Sequence, residues 1–212
     1  MLFRSDYSPL LRAALVNLDR WVGEGVEPPP SAVPHLADST AVAAETTRAV
    51  YAAIPGARFP DRVARPLRLD FGPQVERGIV SALPPKVGAP FVTFVSAVDA
   101  DGNDRAGIRP AELRVPLASF TGWNPRHPEQ GAPGDLMAMM GSTLPFARTA
   151  AERARTGDPR PSIEERYGSR DDYLARVRGE AQAMVAARHL LAEDVDAVVE
   201  RAGELWDLLC PP

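Results

Sequence analysis

The stretch FVTFVSAV at residues 91–98 is followed at once by DADGND at residues 99–104. β-Branched and aromatic side chains dominate the first stretch, which is typical of a β-strand. The Asp and Gly residues of the second stretch are those of a tight turn. Apolar side chains return between residues 108 and 117, so the pattern predicts an antiparallel hairpin over residues 91–118. Pro110 places the second strand at a sheet edge or a bulge, because proline cannot donate a ladder hydrogen bond.

An amphipathic helix is predicted near the N-terminus, between Ser8 as the N-cap and the glycines that follow Val22. Pro9 suits the first helical position. One face of this helix repeats apolar residues at the three-and-four spacing, namely Leu11, Ala14, Leu15, Leu18, Trp21 and Val22. Such a face needs a surface to pack against. We therefore expect residues 1–25 to pack on a core element encoded upstream of Met1, which then need not be the genuine start of the protein.

Helical patterns dominate residues 149–209. Ser162, followed three residues later by Glu165, forms a capping box, and apolar residues at helical spacing continue through one long helix and a final one. Between the first helix and the hairpin, proline-rich and irregular chain surrounds a short helix over 41–53 and an extended segment over 67–71. The sequence thus predicts an α+β fold that combines helices with one antiparallel hairpin.

The composition argues against several classes of function. The 212 residues carry a net charge of −4 and no basic stripe, so nucleic acid is not an expected partner. No apolar stretch is long enough to span a membrane. The N-terminus lacks the apolar region of a signal peptide, which predicts a cytoplasmic protein. A single cysteine, Cys210, excludes an internal disulfide and a cysteine-based metal cluster.

The familiar catalytic and cofactor motifs do not occur in this sequence. The nearest fragment to a G-x-S-x-G nucleophile elbow is GST at residues 141–143, which lacks the second glycine. His35, His127 and His189 stand in no recognisable motif. DADGND at 99–104 does not match a calcium loop, because the sixth and twelfth positions hold Asp and Pro. There is no glycine-rich phosphate loop and no H-E-x-x-H zinc motif. We predict no catalytic residue, metal site or cofactor, and we interpret the serine of GST as a turn residue.

A series of short motifs runs along nearly the whole chain. They are LLRAALVNLDRWV at 10–22, PPPS at 28–31, LAD at 36–38, AIPG at 53–56, VDADGN at 98–103, AGIR at 106–109, TGWN at 121–124, GS at 141–142, PF at 145–146, GDPRPS at 157–162 and EERY at 164–167. In this order they resemble a family of large bacterial alpha/beta hydrolase domain proteins. Members of that family carry their serine nucleophile elbow and catalytic histidine upstream of the matching region.

The resemblance implies that this chain is a C-terminal part of an α/β-hydrolase-type protein. Residues 1–25 would then form a helix that packs on the parallel sheet of the missing hydrolase. Residues 26–212 would be a C-terminal extension that contains the hairpin at 91–118 and the helical tail at 149–209. No position in the chain matches the catalytic motifs of the family, so no catalytic residue is transferred to it.

Three hypotheses about function remain open at this point. In the leading one, the complete protein hydrolyses an ester- or amide-type bond and this chain is inactive alone. Trp123, Asn124 and Ser142 would contact a substrate or the missing domain, because binding residues concentrate on loops. The expected partner is the missing N-terminal hydrolase region, or a second copy bound through the apolar helix face between Leu11 and Val22. The alternatives are a stand-alone, non-catalytic module that binds a partner chain, and a self-sufficient hydrolase that uses Ser142 and a histidine.

Overall fold

The structure is a computed structural model that describes residues 6–211, and its first element is the helix α1 (Ser8–Glu24). Its N-cap is Tyr7 rather than Ser8, so the helix begins one residue earlier than predicted. Gly25 ends it with a left-handed φ of 71°, a conformation that glycine adopts at little cost. Among the described residues, no helix combines the length and the apolarity that crossing a membrane would need.

Small antiparallel sheets and short helices occupy the middle of the chain. The strand β1 (Ala41–Val42) pairs with β4 (Val95–Ser96), β2 (Leu67–Asp70) pairs with β3 (Lys86–Pro90), and β5 (Ala118–Phe120) pairs with β6 (Thr143–Pro145). The helices in this region are α2 (Ala44–Ala52) and α3 (Ala111–Arg114). The α+β class predicted from the sequence is confirmed, with three two-stranded sheets within residues 6–211.

The structure differs from the hairpin predicted over residues 91–118. Of the apolar stretch 91–98, β4 takes up only Val95–Ser96, and its partner is β1 rather than the following segment. The tight turn itself forms, because the N–H of Asp99 donates to the carbonyl of Asn103 at 2.8 Å. Beyond the turn the chain enters α3 with Pro110 at its N-cap. Proline lacks the N–H that a second strand would donate and suits a helix start, so the local chemistry outweighs the apolar pattern.

Four α-helices and a short 3-10 helix (Ala192–Asp194) make up the described part of the C-terminal region. The α-helices are α4 (Ala150–Thr156), α5 (Ile163–Arg166), α6 (Arg170–Ala186) and α7 (Val195–Leu209). The side chains of Thr149, Ser162 and Ser169 cap the first three of these helices. The capping box formed by Ser162 and Glu165 is present as predicted. Each cap satisfies an N–H group that the first turn of a helix leaves without an intrahelical partner.

The main core lies between α6, α7 and the chain around α3 and β5. Tyr173 and Leu117 are fully buried at its centre. The ring centroid of Tyr173 lies 5.1 Å from that of Tyr167 and 5.2 Å from that of Trp206. Aromatic pairs at these separations add to the stabilisation from buried area. All members of this cluster lie within residues 111–210.

Helix α1 docks on the C-terminal helices by the side that the apolar pattern did not mark. Leu10 packs against a smaller cluster centred on Met184 of α6. The side-chain amide of Asn17 donates to the carbonyl of Arg188 at 2.7 Å. The predicted apolar face points away from this contact: the side chains of Leu15 and Val22 are 67% and 81% exposed. Leu10, the buried Ala13 and a few polar contacts therefore hold the helix, and its predicted apolar face is open within the described structure.

Candidate functional site

The two loops that were predicted to carry contact residues meet beside the sheet of β5 and β6. The N–H of Thr121 donates to the carbonyl of Ser142, and the N–H of Ser142 donates to the hydroxyl of Thr121, both at 3.0 Å. Gly141 allows this approach, because a Cβ atom at this position would lie 2.1 Å from the carbonyl oxygen of Thr121. The hydroxyl of Ser142 donates to the carbonyl of Trp123 at 3.0 Å. Trp123, Asn124 and Ser142 therefore lie in one loop cluster.

Trp123 anchors this loop cluster to the chain that follows α2. Its indole N–H donates to the carbonyl of Arg58 at 2.8 Å. Its ring meets those of Tyr51 and Phe59 edge to face, with centroids 5.0 and 5.2 Å apart. The neighbouring Asn124 is half-buried, and its carbonyl accepts from the N–H of Met137 at 2.7 Å. These bonds fix the backbone of the TGWN motif and leave part of the indole surface accessible.

None of the hydrogen bonds in residues 6–211 joins Ser142 to a histidine. His127 is exposed and lies 3.6 Å from the carboxylate of Glu129. Both ring nitrogens of His189 are buried without a hydrogen-bond partner in the described residues. Burial, followed by the charges of Arg114 and Arg188, lowers the pKa of His189 below its ordinary value of 6.5. A serine nucleophile needs a base in hydrogen-bond reach, and the hydroxyl of Ser142 is instead bonded to a backbone carbonyl.

A buried polar network underlies the tight turn after β4. The carboxylate of Asp99 accepts from the N–H groups of Asp101 and Asn103, both at 3.0 Å. The side chain of Asn103 is fully buried and bonds the backbone on both sides of Ser119. The hydroxyl of Tyr51 donates to the carbonyl of Gly102 at 2.5 Å, and burial raises the pKa of that tyrosine. DADGND thus acts as a structural turn in which the side chains of Asp99, Asp101 and Asn103 bond to the protein itself.

Two arginines extend this network to the helical tail. Arg160 pairs with Asp158 at 2.6 Å, and the two side chains are 2% and 5% exposed. Arg160 also donates to the hydroxyl of Ser119 at 2.7 Å. Arg166 forms a two-pronged pair with the carboxylate of Asp101, with one N–O distance of 2.9 Å. Both guanidinium groups lie over the ring of Phe146, at 5.0 and 4.2 Å from its centroid.

Nothing in the local sequence directly indicates that these charges are buried. GDPRPS contributes to the family resemblance, and no motif predicts a role for Asp158 or Arg160. The flanking prolines are an indirect indication that this segment is ordered, because they hold a short charged stretch in a fixed extended shape. In residues 6–211, no three His, Cys, Asp or Glu side chains come together in a way that would hold a metal ion. The network as a whole positions loops, and its charged groups are occupied by one another.

One comparison with known proteins gives a match. A family model described as an alpha/beta hydrolase domain matches residues 4–200 of the chain. No curated protein and no solved structure matches it. The match covers well over half of the chain and includes both the loop cluster and the buried polar network.

Proposed function

We propose, on the premise that this chain belongs to the alpha/beta hydrolase domain family, that it is the non-catalytic C-terminal part of a serine hydrolase. The complete protein would cleave an ester- or amide-type bond by acyl transfer. Its serine, histidine and acid would lie upstream of this chain, and backbone N–H groups would stabilise the oxyanion. The chain alone would be inactive.

The bonding of Ser142 is the observation that carries this proposal. Ser142 is the serine nearest in context to a nucleophile elbow, yet its hydroxyl donates to the carbonyl of Trp123. An elbow serine stands on a sharp turn between a strand and a helix, whereas Ser142 is followed by β6 and then by loop. The geometry therefore favours a serine that positions a loop over one that attacks a substrate.

The exposed apolar surface supports a missing partner domain. An α/β-hydrolase is built around a mostly parallel sheet covered by helices, and the strand pairs formed in residues 6–211 are all antiparallel. The α1 face leaves Leu15 and Val22 in solvent, and every residue of β2 and β3 is exposed. An isolated two-stranded hairpin is at best marginally stable in water. Both surfaces would be covered by the hydrolase region.

In the complete protein, Trp123, Asn124 and Ser142 would contact the substrate or the hydrolase domain. They form one loop cluster whose backbone is fixed by hydrogen bonds. Loops held by a rigid scaffold are common binding elements. The half-buried indole of Trp123 offers apolar contact area, and the amide of Asn124 offers both a donor and an acceptor.

The test compares the chain with a form extended upstream of Met1 along its own reading frame. A serine-reactive fluorophosphonate should label the extended form at a serine outside residues 1–212 and should leave the chain itself unlabelled. Ser142→Ala, made in the extended form, should keep the labelling. The proposal fails if the chain alone is labelled at Ser142, or if the reading frame closes directly upstream without a nucleophile elbow.

A stand-alone module that binds a partner chain is the second candidate. It is favoured by the main core, which residues 111–210 build without help from another chain. Such a module would be a monomer that unfolds cooperatively and binds a partner protein in solution. Light scattering separates the two candidates: a chain that needs its hydrolase region should self-associate, and Leu15→Glu with Leu18→Glu should restore the monomer.

A further inference from the structure

A cleft of about 470 Å³ opens between the end of α3, the end of α5 and the middle of α6. Its charged lining consists of Arg114, Arg166, Arg176 and Glu180. Three arginines and one glutamate thus line a small volume, and each arginine is paired with a carboxylate. Guanidinium groups match the geometry of carboxylate and phosphate oxygens, because they present several N–H donors in one plane.

The three arginines differ in how firmly they are held. Arg166 is held by Asp101, by the carbonyl of Pro161 and by the ring beneath it, so it forms a fixed wall of the cleft. Arg114 donates to the carbonyl of Arg109 at 2.8 Å and pairs with Glu180 at 3.2 Å, and the side chains of Arg114 and Glu180 are 34% and 40% exposed. Arg176 forms a two-pronged pair with Asp172 at 2.9 and 3.1 Å, lies over the ring of Tyr167 and is 54% exposed. Ion pairs this exposed contribute little to stability, so Arg114 and Arg176 can turn to a ligand at small cost.

The lining of the cleft includes Gly179 of α6. A Cβ atom built at this position would meet no other atom within 4 Å. Glycine in the interior of a helix lowers its stability relative to alanine, and neither neighbouring backbone nor a left-handed φ requires glycine here. The missing side chain keeps the space in front of α6 open between Arg114 and Arg176.

We propose that this cleft binds a small oxyanion, a carboxylate or a phosphate group, through Arg114 and Arg176. Arg166, paired with Asp101, provides a fixed wall, and Glu180 is the internal anion that the ligand displaces from Arg114. The site lies apart from the loop cluster of Trp123 and Ser142, so it does not depend on the proposed hydrolase function. The probe that binds more tightly shows whether the oxyanion belongs to a carboxylic acid or to a phosphate.

Isothermal titration of the whole chain with succinate and with inorganic phosphate tests the proposal. Sodium chloride at matched ionic strength is the reference, because screening alone weakens exposed ion pairs. At least one of the two probes should bind saturably. A preference for succinate identifies a carboxylate ligand, and a preference for phosphate identifies a phosphoryl group. Absence of saturable binding by both probes overturns the proposal.

Substitutions separate binding in the cleft from general charge effects. Arg114→Gln should weaken binding about tenfold, which corresponds to the loss of one charge-assisted hydrogen bond. Glu180→Gln should tighten it several-fold, because the competing carboxylate is gone; a merely structural role of the Arg114–Glu180 pair predicts the opposite sign. Weaker binding by Glu180→Gln therefore contradicts the proposal.

A matched pair at Gly179 tests the location. Gly179→Trp should fill the cleft and abolish binding, and Gly179→Ala should bind within twofold of the native chain. Melting curves of both variants show whether they fold. Retained binding by a folded Gly179→Trp variant places the ligand elsewhere and overturns the proposal. If that variant does not fold, the opposite effects expected of Arg114→Gln and Glu180→Gln still decide the matter.

Discussion

Replacing Arg160 with methionine tests whether the buried charge network joins the strands to the helical tail. The substitution keeps most of the side-chain length and removes the guanidinium group. That group donates to Asp158, to the hydroxyl of Ser119 and to the carbonyls of Leu144 and Pro145. Since the side chains of Arg160 and Asp158 are 2% and 5% exposed, the variant leaves a buried carboxylate without its paired guanidinium, although the charge of Arg153 still favours its ionised form. Removing one partner of such a pair costs about 3–5 kcal/mol of unfolding free energy.

Urea unfolding followed by circular dichroism measures this loss. With a slope of about 2 kcal/mol per molar urea, a loss of about 3–5 kcal/mol lowers the midpoint by roughly 1.5–2.5 M. The matched control is Arg178→Met, because Arg178 pairs with Asp196 at 2.7 Å but the two side chains are 45% and 86% exposed. This exposed pair should contribute about 0–1 kcal/mol. Equal midpoint shifts for the two variants would show that burial does not decide the cost and would refute the reasoning.

Acid provides an independent check on the same substitution. Burial on its own raises the pKa of Asp158, but hydrogen bonds and the charge of Arg160 outweigh it, so the pKa is lowered from 3.8. The native chain therefore keeps this stabilisation above pH 3.8 and loses it as the pH falls through the lowered pKa. In Arg160→Met the side-chain bond and the charge of Arg160 are gone, so burial should raise the pKa of Asp158 and protonation should relieve the variant. The stability gap between the two proteins should narrow from pH 7 toward pH 4; a constant gap would point to lost packing instead.

Two further predictions concern a titrating side chain and a turn. Because the pKa of His189 is lowered from 6.5, the neutral side chain contributes fully to stability above pH 6.5, and this contribution is lost as the pH falls below it. Melting temperatures measured from pH 8 to pH 5 should therefore fall less for His189→Phe than for the native chain. Equal falls in the two proteins would contradict this. Gly102→Ala should cost about 1–3 kcal/mol, since φ is +80° and the new Cβ would lie 3.0 Å from Ile54 and 3.1 Å from Tyr51. The control Gly23→Ala in α1 meets nothing within 4 Å and should stabilise by up to about 1 kcal/mol.

Helices were the part of the fold that the sequence predicted well. Capping chemistry and apolar spacing act within a few residues, so the capping box of Ser162 and the long tail helices could be recognised locally. The strands were harder to predict because pairing partners are distant in the sequence. β4 pairs with β1, some fifty residues earlier, and β3 has the sequence KVGAP, whose Gly and Pro argue against a strand. Only the tertiary structure decides such pairings.

The candidate site, like the fold, could be predicted from the sequence only in part. The sequence placed Trp123, Asn124 and Ser142 on loops, and the structure brings them into one cluster through backbone bonds around Thr121. No local pattern distinguishes the buried pair of Asp158 and Arg160 from an exposed one. The spacing of residues shows which of them are close along the chain, but it does not show how deeply they are buried. Charged residues are almost never fully buried unless paired, and their partners here lie on three separate segments.

The distribution of buried and exposed groups argues that the chain is unevenly stable. The C-terminal helices share an apolar core, and the polar network ties β5 and β6 to them through Arg160. By contrast, α1 rests on Leu10 and a few polar bonds, and the β2–β3 hairpin is exposed on both faces. Segments with few buried contacts open at lower free energy than the core. A domain that covers α1 and the hairpin would therefore stabilise chiefly these two segments. The helices α6 and α7 would gain little, since their partners are already present in the chain.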